Sequence, residues 1–349
     1  MLNRRDFLRC GLFLGGTAAA ASAALPECSS RAITLVRESV VIDMLGLVTL
    51  DWAKLARWQC ETGAFSSSDA RKLRDSGITV FHPAVELGGR QPFEAVRKWT
   101  TTWNSFIGSY PEDFLRLDRP GDFARAKASG KIGIILGFQN SEHFRTLDDV
   151  SFFYGLGQRV SQLTYNSPNA IGAGCGAAND PGLTAYGARV VQEMNRLGMA
   201  VDISHTGDRT SLDAIAASRK PVLVTHSNCR ALNPGQRRCK PDEVIRKMAA
   251  RGGVMGITAI RLFVGGRQPT ISDVLDHFDR VVRIAGIEHV GIGSDDDLDG
   301  CARTAIGGLG HPRRIFDLTE GLIRRGYTAS HIRLILGGNF QRALSEIWS

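Results

Sequence analysis

Several patterns that would place a chain of 349 residues in a common class are missing from this sequence. No Cys-x-x-Cys pair occurs among its 7 cysteines, which excludes a thiolate zinc knuckle. Glycine pairs such as Gly88-Gly89 do not form a dinucleotide-binding fingerprint. The formal net charge is +8, but the basic residues are scattered, so no nucleic-acid partner is expected.

Long apolar segments are also scarce, and the one candidate lies at the N-terminus. Paired arginines in Asn3-Arg-Arg-Asp-Phe-Leu8 precede the apolar run 12–20 and the small residues 21–23. This order is typical of a twin-arginine signal, so we expect residues 1–23 to direct export to the periplasm. The run is too short to span a bilayer, and no membrane span is expected after signal removal. Residues 24–349 show no shift in composition and are predicted to form a single domain.

Short β-branched runs alternate with helical patterns through the rest of the chain. Apolar residues at helical spacing occur between most of the runs, for example over 92–110, 185–197 and 271–285. Eight strands alternating with helices in one chain predict an α/β fold of the (β/α)8 TIM-barrel type. The eight runs are 39–45, 77–85, 131–137, 159–165, 199–204, 221–225, 253–258 and 289–294.

Two of these runs end at a histidine. His205 follows the run 199–204, His226 follows the run 221–225, and the intervening residues 206–218 have helix-forming composition. Such a βαβ unit places both imidazoles at the carboxyl ends of neighbouring parallel strands, where the chemistry of a barrel collects. Either histidine alone could simply cap a strand. The repeated pattern favours a metal site, since imidazole is a common zinc ligand.

Five stretches around these histidines resemble the membrane (renal-type) dipeptidase family of zinc peptidases. The resemblance covers most of the chain from about Val40 to the C-terminus. It implies a metal-dependent barrel that cleaves dipeptides at two zinc ions bridged by a carboxylate, in a family that commonly forms homodimers. The stretches are 182–187, 190–198, 201–206, 220–228 and 289–295.

The resemblance also assigns roles to individual residues. His205 and His226 match two zinc ligands, and Asp295 matches the acidic residue that follows the eighth strand. Arg237 matches the arginine that holds the substrate carboxylate, although its neighbour Arg238 is an alternative for the same role. The expected substrate is therefore small, peptide-like and equipped with a free carboxylate.

Other ligand positions of the family are degenerate in this sequence. Leu45 and Leu47 stand where the family has a His-x-Asp pair, and Gln139 stands in place of the bridging glutamate. Leucine has no donor atom, and a neutral glutamine cannot bridge two dications as a carboxylate does. We therefore expect one zinc ion rather than two, held by His205, His226 and Asp295.

A three-ligand zinc site leaves a fourth position for water and lowers the pKa of that water to roughly 7. Tyr165 stands where the family has a histidine, and either donates a hydrogen bond to a developing oxyanion or packs at the barrel mouth. Asp43, Asp297 and the Glu142-His143 pair are extra ligands or bases only if their loops turn inward. Asp202, inside the fifth strand, is expected to be buried and structural or to orient a neighbouring group.

The sequence thus predicts a periplasmic, dipeptidase-like metallohydrolase with Asp295 and Tyr165 as catalytic groups. One alternative is an inactive homologue that binds or matures a periplasmic metabolite. Another is a metal-free acid-base isomerase that uses His205, Asp295 and Tyr165. The metal content of the protein separates these possibilities.

Overall fold

A computed structural model describes residues 28–299 and 306–349, so the expected export signal lies outside the described residues. Within that part of the chain, ten short parallel strands belong to one sheet. In chain order they are β1 Ile42–Asp43, β2 Val80–Phe81, β3 Phe114–Arg116, β4 Ile132–Ile134, β5 Leu136–Phe138, β6 Gln158–Gln162, β7 Ala200–Asp202, β8 Val222–Ser227, β9 Met255–Ile257 and β10 Val290–Ile292.

The sheet closes into a barrel through a split strand. β4 pairs with β2 and β5 pairs with β6, and only Ile135 separates β4 from β5. The ring continues from β6 through β7, β8, β9 and β10 to β1, which pairs with β2. These eight strand positions confirm the predicted (β/α)8 architecture. The sequence did not predict β3, which within the described residues pairs with β4 alone, because Phe114–Arg116 is not part of a longer apolar run.

Helices follow the strands and surround the barrel. α7 has the predicted bounds because the Thr184 hydroxyl accepts a hydrogen bond from Gly187 N–H, and Gly198 ends the helix at a φ of 82°. No helix in the described part of the chain is long and apolar enough to cross a membrane. The α-helices are α1 Ser30–Glu38, α2 Trp52–Cys60, α3 Ser67–Asp75, α4 Pro92–Ser109, α5 Gly121–Ser129, α6 Leu147–Gly155, α7 Ala185–Leu197, α8 Asp208–Ala217, α9 Asp242–Ala249, α10 Arg261–Val264, α11 Ile271–Ala285, α12 Arg314–Arg324, α13 Ala329–Arg333 and α14 Asn339–Trp348.

Two apolar clusters form on the two faces of the sheet. Ala200 belongs to the smaller cluster, together with Phe340 of α14, whereas Val201 belongs to the larger one. Successive strand residues point to opposite faces, so Asp202 points to the same face as Ala200. In β8, Leu223 belongs to the smaller cluster and Val224 to the larger one. Thr225, the next residue, therefore points to the same face as Leu223. The polar side chains of Asp202 and Thr225 therefore lie inside the barrel, next to the smaller apolar cluster.

Candidate active site

The imidazoles of His205 and His226 meet at the carboxyl end of the barrel. Their Nε2 atoms are 3.0 Å apart, and both side chains are buried. Gly293, the residue after β10, packs closely against Thr225 of β8, since a methyl group on Gly293 would lie 1.8 Å from the Thr225 carbonyl oxygen. The glycine thus lets the two strands approach beside the histidine pair.

Both histidines use their Nδ1 atoms in hydrogen bonds. His226 Nδ1 lies 2.8 Å from Thr225 Oγ1, and His205 Nδ1 lies 2.8 Å from Asn166 Oδ1. Burial, and after it the positive charge of Arg238, holds the pKa of each imidazole well below its usual 6.5. The two rings are therefore neutral at pH 7 and present their Nε2 atoms to each other.

This donor set fits one cation. Two imidazoles on a tetrahedral zinc ion, at about 2.05 Å each, place their nitrogen atoms about 3.3 Å apart. The observed separation of 3.0 Å is close to that value and requires only a small outward movement of the rings. A zinc ion between His205 and His226 would have two protein ligands here, one fewer than catalytic zinc sites usually have.

Asp295 lies at the mouth of the barrel, after β10. It is half-buried, its backbone has a φ of 58°, and its N–H donates to the Leu45 carbonyl at 2.8 Å. Burial raises the pKa of its carboxyl to about 7. Among the described residues, no group of three or more histidine, cysteine, aspartate or glutamate side chains is placed to hold a metal ion. The structure thus joins His205 and His226 but does not add Asp295 as a third ligand.

The positions at which the family resemblance predicts further metal ligands carry two leucines and a glutamine. Leu45 is fully buried and Leu47 nearly so, and both belong to the apolar interior. The Gln139 side chain donates its amide hydrogen to the Ala84 carbonyl at 3.0 Å. A second cation would meet apolar side chains at Leu45 and Leu47, and at Gln139 a neutral amide in place of a carboxylate.

Two acidic residues considered as extra ligands have other partners. Asp43 accepts hydrogen bonds from Ser294 N–H at 2.8 Å and Ser294 Oγ at 2.5 Å, and it lies 3.5 Å from the Arg314 guanidinium. Asp297 accepts a hydrogen bond from Leu50 N–H at 2.7 Å. Both carboxylates stabilise the loops around the barrel mouth.

The two adjacent arginines have different surroundings. Arg237 is exposed and donates to the Ala177 carbonyl at 2.6 Å. Arg238 is buried, and its guanidinium donates to the carbonyls of Ser204 at 2.7 Å and His226 at 2.8 Å. Its buried Nε atom has no hydrogen-bond partner among residues 28–299 and 306–349. Arg238, and not Arg237, therefore lies beside the histidine pair.

Tyr165 covers the histidine pair on one side. Its ring stacks on His205 with the ring centroids 4.2 Å apart. Burial, with a further contribution from the charge of Asp295, raises the pKa of the phenol to about 12. The hydroxyl thus stays protonated at neutral pH and can act as a hydrogen-bond donor.

The Glu142-His143 pair does not enter the site. His143 is buried against Phe153, with ring centroids 4.7 Å apart, and its Nε2–H donates to Gln158 Oε1 at 3.1 Å. The half-buried Glu142 accepts a weak hydrogen bond from Gly89 N–H at 3.4 Å. The bond to Gln158 and the aromatic packing explain His143 as a core residue.

His143 gives a test of the core. Burial lowers the pKa of its imidazole from 6.5 to about 3. As the pH falls, this histidine is therefore protonated in the unfolded chain at a higher pH than in the folded chain, which favours unfolding. Between pH 7 and pH 5, we expect the free energy of unfolding of the wild type to fall by about 2 kcal/mol relative to that of His143→Gln. Urea unfolding at both pH values measures this difference. If the difference in unfolding free energy between the two proteins does not change with pH, His143 is not a buried, neutral core residue.

Two contacts of the histidine pair were not assigned by the sequence analysis. Thr225 precedes His226, Asn166 follows Tyr165, and each binds a histidine Nδ1 atom. Adjacency to a predicted site residue is the only sequence signal for either. Arg238 had been named only as an alternative to its neighbour, because an irregular loop gives no periodicity that fixes side-chain direction.

Comparison with known proteins places the chain among dipeptidases. A model of the membrane dipeptidase family, peptidase family M19, matches residues 29–348. An uncharacterized dipeptidase of Schizosaccharomyces pombe is 32% identical over 70% of this chain and 64% of its own length. Dipeptidase verJ of Clonostachys rogersoniana is 35% identical over 63% of this chain and 56% of its own length. The chain thus matches somewhat less than two thirds of the length of these relatives.

The fold is also found in a solved structure. A crystal structure of an amidohydrolase from Pseudomonas aeruginosa superposes with a TM-score of 0.77 at 27% identity. The superposition covers 91% of this chain and 99% of that one. The two proteins thus share the barrel and its surrounding helices over nearly the whole described chain.

Proposed function

Since this chain belongs to the membrane dipeptidase family, we propose that it is a zinc-dependent hydrolase of a dipeptide or similar small peptide-like substrate. The observation that carries the proposal is the pair of buried, neutral imidazoles with Nε2 atoms 3.0 Å apart. His205 and His226 would hold one zinc ion. Bound there, zinc would supply the Lewis acidity that amide hydrolysis needs at neutral pH.

Three further side chains can act on the substrate. Arg238 is the better candidate for holding a substrate carboxylate, since it is buried beside His226 and has an unpartnered Nε–H, whereas Arg237 is exposed. Tyr165 can donate its hydroxyl hydrogen to the amide oxygen as negative charge develops there. Asp295, with a pKa of about 7, can accept and return a proton near neutral pH.

One observation favours a second candidate function. The positions of the second cation site that the resemblance implies carry the apolar residues Leu45 and Leu47 and the neutral amide of Gln139, whose N–H donates to Ala84. A chain with this change could bind a carboxylate-bearing metabolite for maturation without hydrolysing it. Turnover by the zinc-loaded protein separates the two functions.

The cellular location and the oligomeric state of the protein are part of the same proposal. The N-terminal pattern of paired arginines supports export to the periplasm by the twin-arginine route, with residues 24–349 as one mature domain. The family resemblance supports a homodimer.

The direct test is hydrolysis of a dipeptide library by the exported chain, with zinc added and after removal of metal by a chelator. We expect zinc-dependent cleavage of dipeptides with a free carboxylate and much slower cleavage of their C-terminal amides. Absence of turnover with zinc bound would reject the hydrolase and favour the binding function.

A further inference from the structure

A buried carboxylate lies behind the histidine pair. Asp202 ends β7 and is 2% exposed. Its Oδ1 atom accepts three hydrogen bonds, from Ser204 N–H at 2.9 Å, Ser204 Oγ at 2.5 Å and Thr225 N–H at 3.0 Å. Its Oδ2 atom accepts one, from Thr225 Oγ1 at 2.7 Å. The carboxylate thus uses one oxygen to hold Ser204, which follows β7, against Thr225 of β8, and the other to orient a single hydroxyl.

The direction of these bonds fixes the protonation of His226. Thr225 has one hydroxyl hydrogen, and the Asp202 oxygen takes it. Thr225 Oγ1 can therefore only accept from His226 Nδ1, 2.8 Å away. A neutral imidazole with its hydrogen on Nδ1 has its lone pair on Nε2, the atom that faces His205.

His205 also has an acceptor at its Nδ1 atom, which in this case is the side-chain oxygen of Asn166. The Asn166 Oδ1 atom lies 2.8 Å from His205 Nδ1 and also accepts a hydrogen bond from the Cys175 thiol at 3.3 Å. His205 then donates from Nδ1 and also keeps its lone pair on Nε2. The 3.0 Å contact between the two Nε2 atoms becomes a hydrogen bond if one ring carries its hydrogen on Nε2, and the acceptors Thr225 Oγ1 and Asn166 Oδ1 oppose that form by holding each hydrogen on Nδ1.

We propose that Asp202 and Thr225 are positioning residues, which hold His226 in the Nδ1–H form so that its Nε2 lone pair is available to a cation. The proposal deepens the proposed function, because it explains how the apolar barrel keeps its metal-binding nitrogen deprotonated. It concerns the hydrogen position in the metal-free protein, which can be measured whether or not the protein hydrolyses a substrate.

Asp202→Asn gives the sharpest prediction. The amide oxygen of asparagine must replace Oδ1, because three donors converge there, so its NH2 group replaces Oδ2 and donates to Thr225 Oγ1. The Thr225 hydroxyl hydrogen then turns to an acceptor that remains, His226 Nδ1 at 2.8 Å in preference to Ser204 Oγ at 3.1 Å. The imidazole then carries its own hydrogen on Nε2, which removes the lone pair that faces His205.

Thr225 supplies a matched pair of variants. Thr225→Val removes the hydroxyl that accepts the Nδ1 hydrogen, whereas Thr225→Ser keeps it. We expect His226 to stay in the Nδ1–H form in Thr225→Ser and to shift toward the Nε2–H form in Thr225→Val. Since partners behind a metal-binding histidine typically change metal affinity roughly 10- to 100-fold, zinc should bind that much more weakly to Thr225→Val and Asp202→Asn.

The experiment is long-range 1H–15N correlation NMR of the imidazole nitrogens in the metal-free full chain, followed by zinc titration against a chromophoric chelator. The expected result is Nδ1–H in wild type and Thr225→Ser, and Nε2–H in Asp202→Asn. If Asp202→Asn keeps Nδ1–H while folded, the proposal is overturned. If wild type shows this Nδ1–H pattern but binds no zinc, the proposed function fails and the positioning of His226 stands.

Discussion

His226→Ala is expected to lose zinc and dipeptide hydrolysis together. The variant leaves one imidazole at the site, and among the described residues no third histidine, cysteine or carboxylate is grouped with the pair. A metal contributes several kcal/mol to amide hydrolysis, so kcat/KM should fall by roughly 1000-fold or more. Steady-state kinetics and zinc analysis of the same preparation measure both effects.

His331→Ala is the matched control for this variant. His331 lies on α13, away from the barrel mouth, where its ring is near Tyr327. We expect it to keep wild-type zinc content and turnover. Full dipeptide hydrolysis by folded His226→Ala would show that the reaction does not depend on the histidine pair.

Arg238→Ala is expected to abolish the preference for substrates with a free carboxylate. The guanidinium is buried, and its charge influences both imidazoles, so it acts in a region of weak screening. Loss of a buried charge partner costs about 2–5 kcal/mol, which corresponds to roughly 30- to several-thousand-fold in kcat/KM for a free dipeptide. The amidated dipeptide lacks the carboxylate and should be affected much less.

The neighbouring arginine gives the control for this second prediction. Arg237→Ala removes an exposed guanidinium bonded to the Ala177 carbonyl and should change the free-to-amidated preference less than threefold. Arg238→Lys keeps the charge but loses the planar fork, so it should recover only part of the preference. A larger effect from Arg237→Ala than from Arg238→Ala would return the carboxylate-binding role to Arg237.

The sequence predicted the barrel because the strand and helix periods repeat eight times along the chain. It overestimated strand lengths, since apolar runs continue past the paired residues; the run 39–45 contributes only Ile42–Asp43 to the sheet. Helix bounds were better predicted where both ends carry a chemical signal, as in α7 between Thr184 and Gly198. A capping hydroxyl and a left-handed glycine are local features that a sequence shows directly.

The candidate site was only partly predictable. His205 and His226 could be paired because each directly follows a β-like run, and parallel strand ends meet at one edge. Asp295 could not be placed, since its left-handed backbone, with a φ of 58°, turns it out of the strand direction. The roles of Thr225 and Asp202 depend on which atom donates to which, and that emerges only when the two strands are side by side.

The central claim is that His205 and His226 form a site for one cation. Its most direct test is elemental analysis of the folded, exported chain, as moles of zinc per mole of protein, for wild type and His226→Ala. We expect about one equivalent in wild type and almost none in the variant. Two equivalents in wild type, or equal zinc in both proteins, would contradict the single-cation site, and a folded wild type without zinc after metal loading would reject it.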